Sequence, residues 1–197
     1  MIRSVAVFLV LIGGCFSPGI HAQSVDRLGL EYNYYPAGHI AALQFEWSHN
    51  NHNAWNIRVA VNRSLRQDFS GLNDDERGWG PGVSLGYRRY LVDHTCNGVY
   101  LGLRTDFWWM TINWKDQNDI PSSGTTKIKV LQPTMEIGYG FPVRKDWRLN
   151  AAVVNGMEWN VVTKGADVGQ GWITLLQLSV VKNLHLSEKR SMINTTW

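Results

Sequence analysis

From residue 27 onward, apolar and polar residues alternate with period two, the mark of strands whose two faces meet different surroundings. Helical spacing is nowhere sustained. The first segment sets Leu28, Leu30, Tyr32 and Tyr34 against Arg27, Gly29, Glu31 and Asn33, and the second sets Ala41, Leu43, Phe45 and Trp47 against Gln44, Glu46 and Ser48. In the third, Trp55, Ile57, Val59 and Val61 oppose Asn56, Arg58, Ala60 and Asn62; in the fourth, Val83, Leu85 and Tyr87 oppose Ser84, Gly86 and Arg88. The fifth is the clearest, with Val99, Leu101, Leu103, Thr105, Phe107 and Trp109 facing away from Tyr100, Gly102, Arg104 and Asp106. The sixth places Leu131, Met135, Ile137, Tyr139 and Phe141 opposite Gln132, Thr134, Glu136, Gly138 and Gly140. The seventh opposes Trp147, Leu149, Ala151 and Val153 to Arg148, Asn150 and Ala152, and the eighth, Trp172–Val181, is apolar on both faces except at Thr174, Gln177 and Ser179.

The connections alternate in length. After a short link at Pro36-Ala37-Gly38 come a turn at Ser48–Asn53, a long loop at Ser64–Gly80, a turn at Leu91–Gly98, a long loop at Thr111–Thr126, a turn at Pro142–Asp146 and a long loop at Asn155–Gly171. In an up-and-down meander these sort into one end of short turns and one end of long loops. That asymmetry, with an even strand count, is expected of a transmembrane β-barrel.

Alternation alone leaves open which face is inside. A soluble lipocalin-like barrel keeps its apolar face inward around a ligand, whereas a membrane barrel turns it outward. Three features favour the second. The polar face carries small residues suited to a narrow, filled lumen: Gly29, Gly86, Gly102, Gly138 and Gly140. Its cations are arginines, Arg27, Arg58, Arg88, Arg104 and Arg148, nearly balanced by Glu31, Glu46, Asp106 and Glu136; arginine suits buried, multiply hydrogen-bonded pairs. The aromatics of the apolar face fall in two sets: Tyr34, Phe107, Trp109, Trp159 and Trp172 beside the first link and the long loops, and Trp47, Trp55, Tyr87, Phe141 and Trp147 beside the short turns. Two belts flanking an aliphatic band are the girdles of a membrane barrel.

The fold class expected is therefore all-β, an eight-stranded antiparallel up-and-down transmembrane β-barrel. Segments such as Gly86-Tyr87-Arg88-Arg89-Tyr90, Val99-Tyr100-Leu101-Gly102-Leu103 and Glu136-Ile137-Gly138-Tyr139-Gly140-Phe141 give the chain an architecture that resembles the small eight-stranded outer-membrane barrels of the OmpX and OmpA-transmembrane type. The resemblance implies an integral protein of the Gram-negative outer membrane, in contact with outer-membrane lipid and lipopolysaccharide and inserted by the barrel-assembly machinery. Such chains often finish on an aromatic that closes the last strand. Here the strand is expected to end by Leu186, and residues 187–197 follow as a polar tail ending in Trp197.

The leader fits export. Arg3, the apolar run Val5–Phe16 and a small residue at Ala22 make residues 1–22 a signal peptide, leaving 23–186 as the barrel. Leu11-Ile12-Gly13-Gly14-Cys15 also reads as a lipobox, the alternative to a cysteine inside an ordinary apolar leader. After cleavage Cys96 is the one remaining thiol, so no internal disulfide is expected. Composition changes the picture in one respect. A charged fraction of 18%, a net charge of +3 and no cluster of Lys and Arg exclude a nucleic-acid footprint, while 10 Trp are more than a soluble core explains and suit interfacial belts.

Chemistry is sparse. An enzyme acting on lipid at the outer rim needs a Ser/His pair ordered by an acid. Of the histidines after the leader, His49, His52 and His94 fall in short turns, His185 near the last strand's end, and only His39 at the outer rim without an adjacent Ser. His49-Asn50-Asn51-His52 offers two imidazoles but no neighbouring Cys or carboxylate, and Asn73-Asp74-Asp75-Glu76 lacks the spacing and glycine of a calcium loop. No enzyme, cofactor or metal is expected. The lumen charges are expected to form an ion-pair network, with a solvated relay or narrow pore as the alternative. The outer end, through 64–80, 111–126 and 155–171, is the surface expected to meet an extracellular protein partner, if there is one. Trp108, Met110, Ile112 and Trp114 continue the alternation, so the fifth and sixth strands are expected to project as a ribbon.

Overall fold

The computed structural model describes residues 26–48, 52–67, 72–91, 97–117 and 121–184. The signal peptide 1–22 with Cys15, the turn histidines His49 and His94, Cys96, His185 and the tail 187–197 lie outside the described residues.

Eight antiparallel strands close into a barrel in chain order: β1 (Arg27–Tyr35), β2 (Gly38–Ser48), β3 (Asn53–Gln67), β4 (Asp75–Tyr90), β5 (Gly98–Asp116), β6 (Ser122–Arg144), β7 (Trp147–Lys164) and β8 (Gly171–Asn183). β1 closes the ring by pairing β8 from Arg27↔Asn183 to Tyr34↔Leu176. The two-residue link between β1 and β2 turns at Gly38, whose φ of 150° and missing Cβ admit the Arg63 carbonyl of β3. Pro81 and Pro133 sit on the outer face, and the β4–β5 and β6–β7 pairings lapse beside them, as residues without an N–H require.

The parity read from the sequence holds in all eight strands, including β8, whose Gln177 and Ser179 point inward and Leu176, Leu178 and Val180 outward. The apolar face is outside: Leu30 (69% exposed), Leu103 (59%), Met135 (68%) and Ile137 (61%) are open, while Arg88, Glu46 and Gln44 are fully buried. A lipocalin arrangement would reverse this.

The three long loops are corrected. Strands run through most of Ser64–Gly80, Thr111–Thr126 and Asn155–Gly171, and the connections shrink to 68–74, 117–121 and 165–170. Hydrogen-bonded pairing continues to Gln67↔Asp75, Asp116↔Ser122 and Lys127↔Lys164. What changes is the outer face, where charged residues appear at Arg63, Arg77, Lys115, Lys127 and Lys129. β5 and β6 are the longest strands, at 19 and 23 residues, and form the projecting ribbon. Pro142 likewise lies inside β6, paired with Arg148.

Candidate functional site

The lumen has three storeys. In the lower half the structure brings all nine residues of the charged face into one connected set. Glu46 accepts from Arg27 (2.9 Å), Arg148 (2.6 Å) and Arg88 (3.2 Å). Arg88 continues to Glu136 at 2.5 Å, Glu136 lies 3.6 Å from Arg58, and Arg58 donates to Glu31 at 2.8 Å. Glu31 in turn lies 3.3 Å from Arg104, which sits 3.0 Å from Asp106. Eight of the nine are buried, and Arg27, at 13% side-chain exposure, marks the lower opening. Neutral groups fill between them: Gln177 accepts from Arg104 at 3.1 Å, and Gln44 donates to Glu46 at 3.1 Å.

The inward glycines make room for this. A Cβ on Gly102 would strike the Glu136 side chain, one on Gly86 would strike Asn56, and one on Gly138 would strike the Tyr100 ring. Around Glu31, Arg58, Arg104, Asp106 and Trp108 the space open to a water-sized sphere is ≈ 0 Å³. Tyr100 and Tyr90 lie under the network, with the Arg88 guanidinium 4.8 Å from the Tyr100 ring centre and that of Arg148 5.4 Å from Tyr90. Tyr90 was not expected to take part. Its inward parity with Arg88 was the available signal.

Above the charges lies an apolar plug. Trp108, Ile40, Met110, Ile112, Ile128, Val130 and Leu175 are all buried, and Trp108 faces the polar storey through its indole N–H, which donates to Gln132 at 3.1 Å. Trp108 fits because Gly82 on β4 leaves its ring the space of a side chain.

The third storey was read as loop. Arg66 and Glu76 fall within the loop expected over 64–80; both are buried inside the barrel, 3.5 Å apart, and Arg66 also pairs with Glu158 of β7. Segment 165–170 folds over this cluster. The Gly169 N–H donates to Glu76 at 3.2 Å, Arg66 donates to the Gly169 carbonyl, and Val168 is buried. Three side chains hold the same strap by its carbonyls: Thr126 at Ala166 (2.9 Å), Asn160 at Val168 (3.1 Å) and Asn73 at Asp167 (3.2 Å). The inward parity of Ser64, Arg66 and Glu76 could have shown that strands continue, but the inward contact of Val168 depends on the closed ring.

On the outer wall the aromatics of both sets face out and none is buried. Trp47, Trp55 and Tyr87 are register partners in one row beside the short turns, with the Trp55 and Tyr87 rings 5.0 Å apart. Phe141 and Trp147 stand at the same end on β6 and β7. At the other end Phe107, Leu131 and Trp159 form a row, Trp109 lies edge-on to Phe107 at 4.6 Å, and Tyr34 and Trp172 complete the set on β1 and β8. Val99 to Trp109 spans about 33 Å along β5, and a tilt of roughly 40° projects this to about 25 Å. Between the belts, Asn155 and Thr174 are register partners on the outer face, and the Thr174 hydroxyl donates to Asn155 at 2.7 Å.

His39 stands in the outer rim row, its Nδ1 2.6 Å from the Tyr32 hydroxyl and its ring 5.5 Å from that of Tyr34. Among the described residues no three of His, Cys, Asp and Glu converge on a point that could hold a metal ion.

No protein-family model matches the chain, and no curated protein sequence does. Solved structures do. Neisserial surface protein A superposes with a TM-score of 0.52 at 10% identity, covering 83% of this chain and 100% of that one. CarO2 of Acinetobacter baumannii matches with a TM-score of 0.46 at 12% identity, over 82% of this chain and 100% of its own. The N-terminal β-barrel domain of Pseudomonas aeruginosa OprF matches with a TM-score of 0.36 at 13% identity, over 79% and 95%. The chain thus shares the fold of small eight-stranded barrels.

Proposed function

We propose that this chain is an integral outer-membrane β-barrel protein of a Gram-negative bacterium. On this reading its lumen is filled rather than conducting, and its role is structural, adhesive or interactive through the projecting ends of β3–β4 and β5–β6. The observation that carries the reading is the inverted burial: an aliphatic outer wall between two aromatic rows, around a core of paired arginines and carboxylates. Water would penalise that wall, and lipid would not. An apolar band about 25 Å tall is the height a bilayer requires. The close packing around Glu31, Arg58, Arg104 and Asp106 and the plug above it support a closed lumen, and the network is read as the filling that rigidifies it. Lipid, lipopolysaccharide and the barrel-assembly machinery are the partners this location brings.

The test is fractionation of cells expressing the full chain, with alkaline carbonate extraction followed by a gel run with and without boiling. The protein should stay with the membrane pellet and migrate faster unboiled. Release into the soluble fraction would refute the membrane reading. Reconstituted into planar bilayers, the same protein should give no steady conductance; stable channel openings would refute the filled lumen.

A further inference from the structure

We propose that the outer wall carries a lysine clamp for the phosphate groups of outer-leaflet glycolipid, formed by Lys127 and Lys129 of β6 and Lys164 of β7. The inference rests on the outer-membrane reading and adds to it a site and a ligand chemistry. Lys127 and Lys164 are direct register partners, and Lys129 follows Lys127 on the same face. All three are exposed. Cβ atoms directly opposite lie about 5 Å apart, and like charges so placed destabilise a strand pair. Three acids of the outer end are engaged elsewhere. Glu76 and Glu158 face inward onto Arg66, and Asp75 pairs with Arg77. Among the described residues no ion pair joins an acid to any of the three lysines.

A break in β7 produces the arrangement. Val130 pairs with Asn160 and Lys129 with Val162, so Val161 is an extra residue, a bulge. Below it the outward residues of β7 are odd-numbered, as at Val153 and Trp159; above it they are even, at Val162 and Lys164. Without the bulge Lys164 would point into the barrel mouth. A bulge is a specified feature that re-aims side chains, and this one turns a third ammonium onto a wall that already carries two. It also leaves Val161 (50% exposed) and Val162 (38%) open beside the charges.

The height of the cluster identifies the occupant. Lys129 is the register partner of Trp109 and lies two residues above Leu131, which pairs with Trp159. Two strand residues are about 7 Å, so the ammonium groups stand just above the upper aromatic row, where headgroups begin. A phosphorylated glycolipid offers acyl chains to the apolar wall below, a sugar to the Val161–Val162 shelf, and phosphate oxygens to ammonium groups that donate three hydrogen bonds each.

The test uses the purified full-length protein in lipid nanodiscs doped with bisphosphorylated lipid A or with the same lipid enzymatically dephosphorylated, and reads bound lipid by native mass spectrometry. The unmodified protein should hold the phosphorylated form about tenfold or more tightly, the worth of one charge-assisted contact. The combined variant Lys127→Gln, Lys129→Gln, Lys164→Gln should lose that preference. Lys182→Gln, which removes a cation 5.7 Å from the Trp147 ring at the opposite belt, should keep it. Equal binding of the two lipids by the unmodified protein overturns the proposal without calling on any variant. So does a preference that survives in the triple variant, or one lost equally with Lys182→Gln. Carbonate extraction reads the membrane assignment separately, so a protein that stays integral yet shows no phosphate preference refutes the clamp alone.

Discussion

Replacing Glu136 by alanine removes the carboxylate at the centre of the lower storey. Its partners are Arg88, with Nε at 2.5 Å, and Arg58 at 3.6 Å, and both guanidiniums are essentially without solvent contact. The lower storey then carries Arg27, Arg58, Arg88, Arg104 and Arg148 against Glu31, Glu46 and Asp106. Breaking a buried pair from one side costs about 3–5 kcal/mol, because the stranded charge stays desolvated. Arg88 still reaches Glu46 at 3.2 Å and Arg58 still reaches Glu31 at 2.8 Å, which places the expected loss toward the lower bound. With a urea dependence of about 2 kcal/mol per molar, 3 kcal/mol moves the unfolding midpoint down by roughly 1.5 M. The assay is equilibrium unfolding from vesicles, followed by the band shift of unboiled samples. Arg77→Ala serves as control: it breaks the exposed Arg77–Asp75 pair of 3.0 Å, and an exposed pair contributes about 0–1 kcal/mol. If Glu136→Ala and Arg77→Ala unfold at the same urea concentration, the network does not hold the barrel together.

Other perturbations test other storeys. Arg104→Ala should lower the heat resistance of the folded band in detergent, since it leaves Asp106 without its 3.0 Å partner; an unchanged melting temperature would count against the same network. Trp108→Ala should destabilise by about 3–5 kcal/mol, through the vacated plug and the Gln132 carbonyl oxygen it leaves unpaired. Arg66→Ala should free segment 165–170 and speed trypsin cleavage after Lys164 in the folded protein, with no change in cleavage meaning that the strap is held by its other bonds alone. Leu103→Arg, on the outer wall between the belts, should cost about 2–4 kcal/mol in a bilayer, whereas a water-facing wall would accept it without loss.

How much was legible in the chain follows from where each contrast arises. β5 from Val99 to Trp109 reads cleanly because an aliphatic wall and a charged lumen impose opposite demands on successive residues. Past Trp109 the outward residues turn polar, as at Thr111, Asn113 and Lys115, while Met110, Ile112 and Trp114 carry the alternation on the inner face of a ladder that runs to Asp116. In β3 and β4 the inward Ser64, Arg66 and Glu76 and the outward Arg63 and Arg77 are all polar, so the loop expected over 64–80 hid two strand ends. In β7 the bulge at Val161 reverses the parity, and no local signal in Asn160-Val161-Val162-Thr163 marks it. The lumen charges could be sorted to one face by parity, yet their pairing could not. Arg148 reaches Glu46 across 102 positions of sequence, and only the closed ring sets them opposite.

The central claim is that the apolar wall meets lipid while the charged face is sealed inside. Single cysteines at Leu101, Leu103, Met135 and Ile137, spin-labelled in the reconstituted barrel in an otherwise cysteine-free background, address it directly through collisions with oxygen and with a water-soluble nickel chelate. The account predicts strong oxygen contact and almost no nickel contact at all four positions. Nickel accessibility equal to that of a label at Arg77, beyond the upper belt, would contradict it.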